Sequence, residues 1–404
     1  RFLDGAGVRS SALGDGAAPH DVEFERDGKR HRARARWLVD ASGRAGLLKR
    51  QLGLARDNAH DANAVWFRIA AKIDVDEWSD DPAFHARCEV PNRWLSTSHL
   101  CGAGYWAWLI PLSSGSHSVG IVCDAKTHPL ETMNTFERAM AWFAEHQPRL
   151  HRELEGKRHL LQDFRFLRNF SYGCSQVFSP QRWALTGESG VFLDPFYSPG
   201  SDFIGIANTY ICELVAKDRA GEAFEPYARF YEQLYFSFYE STLTLYTDQY
   251  EMFGDPEVMP VKVLWDYTYY WGVLCQLWFQ HRLTDLVALG RLREPLQSTK
   301  ALNAAMQDFM REWSKLSAKR NRAVMLDQAR LGWFAELNRG LKDTLDDSQF
   351  RERMRETVAQ LNALALEIVE HACREHPALD AAAVRALLGD TRAPESSLLF
   401  ADAA

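Results

Sequence analysis

The chain has 404 residues, 46% of them hydrophobic and 25% charged, with a net charge of −7, the profile of a globular protein with room for more than one structural region. No basic domain is present, which argues against nucleic acid as a partner, and no uninterrupted apolar run approaches the roughly 20 residues that cross a bilayer. Seven cysteines, an odd number with no C-x-x-C pair, fit reduced thiols in a cytoplasmic protein better than a disulfide framework or a zinc site. In chain order, residues 22–25, an Asp27-Gly28 turn and residues 31–36 predict a β-hairpin. Trp37, Leu38 and Val39 predict a short buried strand that runs into a turn at residues 40–43. Leu47, Leu48, Gln51 and Leu52 then mark a short helix ending at Gly53.

Residues 64–73, 104–112 and 117–124 read as strands, the last two joined at 113–116, and together predict an antiparallel sheet in a second region. Trp106 and Trp108, two apart, share one face of such a strand, either as an apolar wall or as core beneath the sheet. Residues 135–146 read as an amphipathic helix stopped by Pro148, and residues 160–170 as a strand. Residues 183–202 then give, in order, a buried strand at 183–186, a glycine-bearing loop at 187–190, a proline-rich loop at 194–200 and a helix carrying Phe203, Ile206, Ala207, Tyr210, Ile211 and Leu214 at helical spacing. Such a helix aims its first free amides into the loop, which suits an anion or an electron-rich ring; an ordinary strand-to-helix connection has the same pattern.

From Phe224 onward the text is helical. Aromatic residues recur through 227–239 and 265–278, as packing or as the lining of a pocket for a planar or lipophilic molecule. Segments 299–319, 321–342 and 347–374 are charged and periodic, with breaks at Asp255-Pro256 and Glu294-Pro295. The tail after Asp390 is expected to be disordered. No metal-ligand spacing is visible, His281 and His371 read as surface or core residues, and no nucleophile-elbow signature occurs.

Three short matches go further. Phe192, Pro195, Ser198 and Gly200 match the F-x-x-P-x-x-S-x-G signature of the flavin-dependent halogenases, and residues 106–111 match the W-x-W-x-I-P of that family, the tryptophan halogenases included. Residues 40–44 resemble the D-x-S-G-R turn of the wider class of FAD monooxygenases. The resemblance implies an α/β (α+β) fold, namely a doubly wound FAD/NAD(P)-binding flavoprotein fold with an inserted antiparallel sheet and a helical C-terminal region. It implies a discontinuous FAD-binding region at 1–60 and 160–217, a sheet region for substrate at 61–159 and a helical region at 218–404. Flavoproteins of this type open with a strand, a G-x-G-x-x-G turn and a helix. That turn is not found near Arg1, so a βαβ unit of roughly 30 residues or more, and with it the family's essential lysine, is expected to be missing from an N-terminally truncated sequence.

By the same resemblance, Asp194, Pro195, Gly200 and Ser201 surround the isoalloxazine, Gly187 and Glu188 approach the ribityl–pyrophosphate part, and Asp40 and Gly43 lie near the dinucleotide half of FAD. Trp106 and Trp108 line the route from flavin to substrate, and Ser198 and Tyr197 stand at the chemistry. The implied reaction starts from FAD reduced by a separate flavin reductase, passes through a flavin hydroperoxide attacked by chloride or bromide, and ends on an electron-rich aromatic small molecule, free or acyl-carrier-bound. Two departures bear on it. Tyr197 stands where tryptophan halogenases carry a glutamate, which favours a phenol, pyrrole or carrier-bound aromatic over free tryptophan. Pro199 has no amide hydrogen, which removes one donor from the family's halide site. The alternatives are a non-halogenating FAD monooxygenase or dehydrogenase of the same fold, and a degenerate flavoprotein acting as a partner-binding module.

Overall fold

The computed structural model describes residues 2–88, 90–320, 326–392 and 397–399. The first strands are β1 (Gly7–Ala12), β2 (His20–Arg26), β3 (Lys29–Ala35) and β4 (Leu38–Asp40), followed by α1 (Leu47–Gln51) and β5 (Ala55–Asp57). Strands β1, β2 and β3 form an antiparallel sheet in that order. Its hairpin turn places Asp27 at φ 51° and Gly28 at φ 70°, the doubly left-handed turn that matches strand twist. Strand β1, with its mixed polar text, was not predictable by alternation. Val39 is 40% exposed, which corrects the expectation of a fully buried strand.

The middle of the chain holds β6 (Ala62–Ile69), α2 (Pro82–Ala86), β7 (Ser98–Gly102), β8 (Tyr105–Pro111), β9 (His117–Asp124), α3 (Phe136–His146), α4 (Pro148–Glu155) and β10 (Leu161–Leu167). These strands make a five-stranded antiparallel sheet in the order β10-β6-β9-β8-β7. Strand β10, expected with the flavin region, pairs with β6 from Leu161 opposite Ile69 to Leu167 opposite Ala64. The period of two decides what each face does. Val65, Phe67, Ala107, Leu109, Val119 and Ile121 face α3 and α4, while Ala64, Trp106 and Val122 face the helical region. Helix α3 ends at His146, ahead of Pro148 as expected, and Pro148 then opens α4, where its missing N–H costs nothing. Gly120 is required here, because a Cβ on it would lie 2.2 Å from Cζ2 of Trp108.

Strands β11 (Tyr172–Cys174) and β12 (Trp183–Leu185) lead to α5 (Pro199–Ala220) and α6 (Glu225–Leu243). Strand β11 pairs with β5, and β12 runs parallel to β4 with Leu185 opposite Asp40. This two-stranded pair is the parallel sheet of the described residues, so the expected doubly wound sheet is represented by its smallest element. Then come α7 (Val258–Tyr269), a π-helical turn over Tyr270–Cys275, α8 (Gln276–Phe279), α9 (Leu286–Arg291), α10 (Arg293–Leu316), α11 (Gly332–Gly340), α12 (Asp347–Glu375) and α13 (Ala382–Leu388). The expected break at Glu294-Pro295 lies instead before Arg293, and Pro295 is carried in the first turn of α10, where its lack of an N–H is tolerated. Residues 321–325 of the predicted segment 321–342 lie outside the described residues. Of the tail expected to be disordered, residues 393–396 and 400–404 also lie outside. Leu398 and Leu399 are held: their amides donate to Glu367, and Trp333 Nε1 donates to the Leu398 carbonyl. No helix of the described residues is long and apolar enough to cross a membrane, and all seven cysteines are free.

Candidate active site around the loop at residues 194–201

The loop between β12 and α5 is fixed from both ends. Phe192 bridges to Tyr172 with paired backbone hydrogen bonds of 2.9 Å. At the other end the Ser198 amide donates to the Pro195 carbonyl at 3.0 Å, and Ser198 itself takes a left-handed conformation, φ 58° and ψ 36°. Such a conformation in a non-glycine residue is strained and persists only when its surroundings impose it. Pro199 at the first helical position, its φ preset for a helix, starts α5 at once.

Beside this bend is a cavity of about 220 Å³ lined by residues 191–195, 198–201 and Phe203. Ser198, Gly200 and Ser201 are exposed to it, and a Cβ on Gly200 would meet nothing within 4 Å. Pro195, Ser198, Gly200 and Ser201 therefore line one hollow. Asp194 lines the same hollow, but its carboxylate is committed elsewhere. It is 1% exposed, Oδ1 accepts the Phe196 amide at 2.9 Å, His60 Nε2 lies 2.7 Å from Oδ2, and the Tyr250 hydroxyl donates to Oδ2. Trp106 Nε1 in turn donates to the Tyr250 hydroxyl at 2.9 Å. Asp194 is thus the node of a buried network that pins the loop to β8 and to the chain before α7.

Trp106 meets the loop at Phe196, with ring centroids 5.2 Å apart, and neither Trp106 nor Trp108 lines the hollow. Trp108 tilts against Trp106 at 5.7 Å and donates its Nε1–H to Ser118 Oγ. On the far side of Phe196 a second cavity, about 430 Å³, is lined by His99, Cys101, Tyr197, Phe253 and Tyr267 among others. His99 is open to that cavity yet ringed by Trp106 and Phe196, and this enclosure pushes its imidazole down to about 4. Burial pushes the Cys101 thiol up to about 12.

Tyr197 points inward. Its hydroxyl donates to Asp266 Oδ2 at 2.8 Å, and the same oxygen accepts from Lys262 Nζ at 2.8 Å. Lys262 is 0% exposed and also donates to Gln307 Oε1, while Gln307 Nε2 donates back to Asp266 Oδ1. Burial, and then the Asp266 charge, hold the Tyr197 phenol well above its ordinary range; burial lowers Lys262 against the pull of Asp266.

Asp40, Gly43, Gly187 and Glu188 form a separate group, gathered where β4 and β12 end side by side. Asp40 is used internally, accepting the Ser42 amide at 2.9 Å and the Leu48 amide at 2.7 Å, which shapes the turn and starts α1. Gly43 and Gly187 take φ 62° and 60°. Glu188 pairs with Arg44 at 3.1 Å, and Arg44 lies over the Phe192 ring at 4.8 Å, joining this group to the loop. His60, His99, Tyr250, Lys262 and Asp266 escaped sequence reading. Lys262 and Asp266, four apart on α7, gave a weak signal, whereas His60 gave none. Glu257, ahead of α7, and Glu375 and His376, at the end of α12, offer ligand atoms within 4.8 Å of one another.

No family model matches the chain. Tetracycline 7-halogenase of Kitasatospora aureofaciens is 31% identical over 191 residues, which is 45% of this chain and 32% of that protein. Flavin-dependent halogenase chlA of Dictyostelium discoideum is 24% identical over 65% of this chain and 46% of its own length. A 1H-pyrrole-2-carbonyl peptidyl-carrier-protein chlorinase of Pseudomonas fluorescens is 26% identical over 49% of this chain and 44% of its own. The chain therefore spans a third to a half of the length of these curated relatives. Among solved structures, halogenase PltM in complex with phloroglucinol and FAD superposes with a TM-score of 0.58 at 16% identity, covering 95% of this chain and 71% of that one. That likeness shows the fold, a mixed helix-and-strand flavoprotein fold. By sequence and by fold, the chain is a relative of the flavin-dependent halogenases.

Proposed function

We propose that the chain belongs to an FAD-dependent, halogenase-type oxidoreductase that acts on an electron-rich aromatic small molecule, free or carrier-bound. The observation that carries this is the hollow at the loop: all four residues that match the family signature, Phe192, Pro195, Ser198 and Gly200, line it, and Ser198 and Gly200 are exposed to it. The tetracycline, pyrrolyl-carrier and phloroglucinol partners named for the relatives support an aromatic substrate.

The residues present fit the ring end of a flavin. Gly200 leaves open space and Pro195 adds a flat apolar edge. The first amides of α5 offer their positive end to an electron-accepting ring. The rest of the cofactor would lie toward Gly43, Gly187, Glu188 and Asp40. When bound, the flavin would supply the oxidising power; the protein supplies position and electrostatics. The network His60–Asp194–Tyr250–Trp106 holds the loop in its strained bend. Phe196 and Tyr197, on the inner side of the loop, line the second cavity. In this scheme residues 1–60 and 168–217 serve the flavin and 61–167 form the sheet region, with β10 transferred to it; residues 218–404 form the helical region. A separate flavin reductase, a cytoplasmic setting and chloride or bromide as halide complete the proposal.

One observation favours the non-halogenating form of the same fold. Pro199 has no N–H, and the Ser198 N–H is spent on the Pro195 carbonyl, so neither is offered to a halide. A flavin titration of the protein, set beside Gly200→Trp, tests the site: without the expected βαβ unit FAD should bind only weakly, and the substitution should weaken it by a further factor of about ten or more through filling the hollow. Equal affinity in both proteins would refute the placement. Turnover with a flavin reductase that does not change when bromide is withheld would select the non-halogenating form.

A further inference from the structure

Another cavity lies apart from the loop. It measures about 560 Å³ and is enclosed by α6, the π-helical turn, α9 and α10. A volume of this size suits a small organic ligand. Its body is apolar, with Leu234, Phe238, Val273, Leu274 and Leu289 among its walls. Its mouth is cationic. Arg293 and Lys300 both line it and stand seven apart on α10, hence on one face of that helix. Arg293 has no ion-pair partner among the described residues, and Lys300 Nζ meets Ser237 Oγ at 3.1 Å and the exposed Glu240 at 3.5 Å.

The chamber does not end blindly. A throat of about 30 Å³ shares Thr242, Leu245, Tyr270 and Leu274 with it. The throat's other walls include Tyr197, Pro199 and Phe203, and the last two also line the hollow at the signature loop. Chamber, throat and hollow therefore follow one another, with Tyr270 standing between the first two.

We propose that the chamber binds an amphipathic carboxylate: a flat apolar body among the leucines and Phe238, with its acid group at Arg293 and Lys300 and its inner end at the throat. That this inner end is the part to be oxidised rests on the flavin proposal above; the binding itself does not. Charge and shape agree, since an apolar body is drawn from water by the chamber and the acid gains charge-assisted hydrogen bonds at its rim.

The test uses 2-naphthoate and its neutral counterpart 2-naphthylmethanol, titrated into the protein by calorimetry. Naphthoate is expected to bind at least about tenfold more tightly than the alcohol, the worth of a charge-assisted contact. Arg293→Gln with Lys300→Gln should bring the two ligands to parity without lowering the affinity for the alcohol. Gly290→Trp should block both, because Gly290 lines the chamber and a Cβ on it would meet open space, so the substitution strains nothing. Naphthoate binding no better than the alcohol, or binding untouched by Gly290→Trp, would overturn the proposal. FAD titration separates the two claims. Naphthoate bound by a protein that rejects FAD leaves the chamber standing and removes the flavin; FAD bound by a protein that rejects naphthoate does the reverse.

Discussion

The two faces of the five-stranded sheet are built to different rules. On the side of α3 and α4, Phe67, Phe143, Val119 and Ile121 make a dry core, and most buried polar atoms there have partners: the Tyr105 hydroxyl donates to the His146 carbonyl, and the His128 ring meets the Ala103 carbonyl. On the helical side, Lys262, Asp266, Asn303 and Gln307 are all buried together, and the hydroxyls of Tyr210, Tyr231 and Tyr246 and the amide of Gln276 have no hydrogen-bond partner among the described residues. The three cavities already described lie on that side or along its edge. A buried hydroxyl without a partner costs free energy. The sheet side is therefore a scaffold, and the helical side gives up stability to keep space and buried polarity.

The comparison can be broken most forcefully at Lys262. Lys262→Met leaves Asp266 buried without its cation and should cost about 4 kcal/mol in urea unfolding. Adding Asp266→Leu should restore part of it; a loss below about 1 kcal/mol for the single variant would show the pair is not buried in solution. Next in size, Phe143→Ala empties a packed site in the sheet core and should cost about 3 kcal/mol. Leu289→Ala, on the wall of a chamber that is already open, should cost less, about 2 kcal/mol. Equal losses would mean the two sides are packed alike. The smallest effect concerns acid. Folding lowers His99 from 6.5 to about 4, so the unfolded chain takes up its proton first. The stability this gives is complete above about pH 6.5 and fades as pH falls toward about 4. His99→Leu should flatten that part of the melting temperature against pH profile, and an unchanged slope would count against the enclosed imidazole.

How much of this was legible follows from how local each feature is. The Asp27-Gly28 hairpin, the helix begun at Thr135, the Trp106/Trp108 face and the bend at 194–201 are set by neighbours in sequence, and each stands where its residues indicate. Strands β7 and β10 were missed or misassigned because their pairing is non-local, and Phe166 on β10 is exposed, which blurs the alternation. The network around Lys262 joins residues 197, 262, 266 and 307, which no spacing rule connects. Asp194 could be placed on the loop but not oriented, since its partners His60 and Tyr250 lie 134 and 56 residues away.

The wide turn at Tyr270–Cys275 couples distant parts of the molecule. Gly272 in that turn lets α12 approach so closely that a Cβ would fall 2.6 Å from Thr357 Cγ2. Just beyond it, Trp278 presses on Gly205 of α5, where a Cβ would lie 2.2 Å from the indole. Excising one residue from the turn would restore ordinary pitch and swing α8 by about 100° about its axis. Trp278 would leave Gly205, and the helix that issues from the signature bend would lose its stop. A single surplus residue thus works as a gear tooth: it meshes the wall of the apolar chamber with the helix that issues from the signature bend.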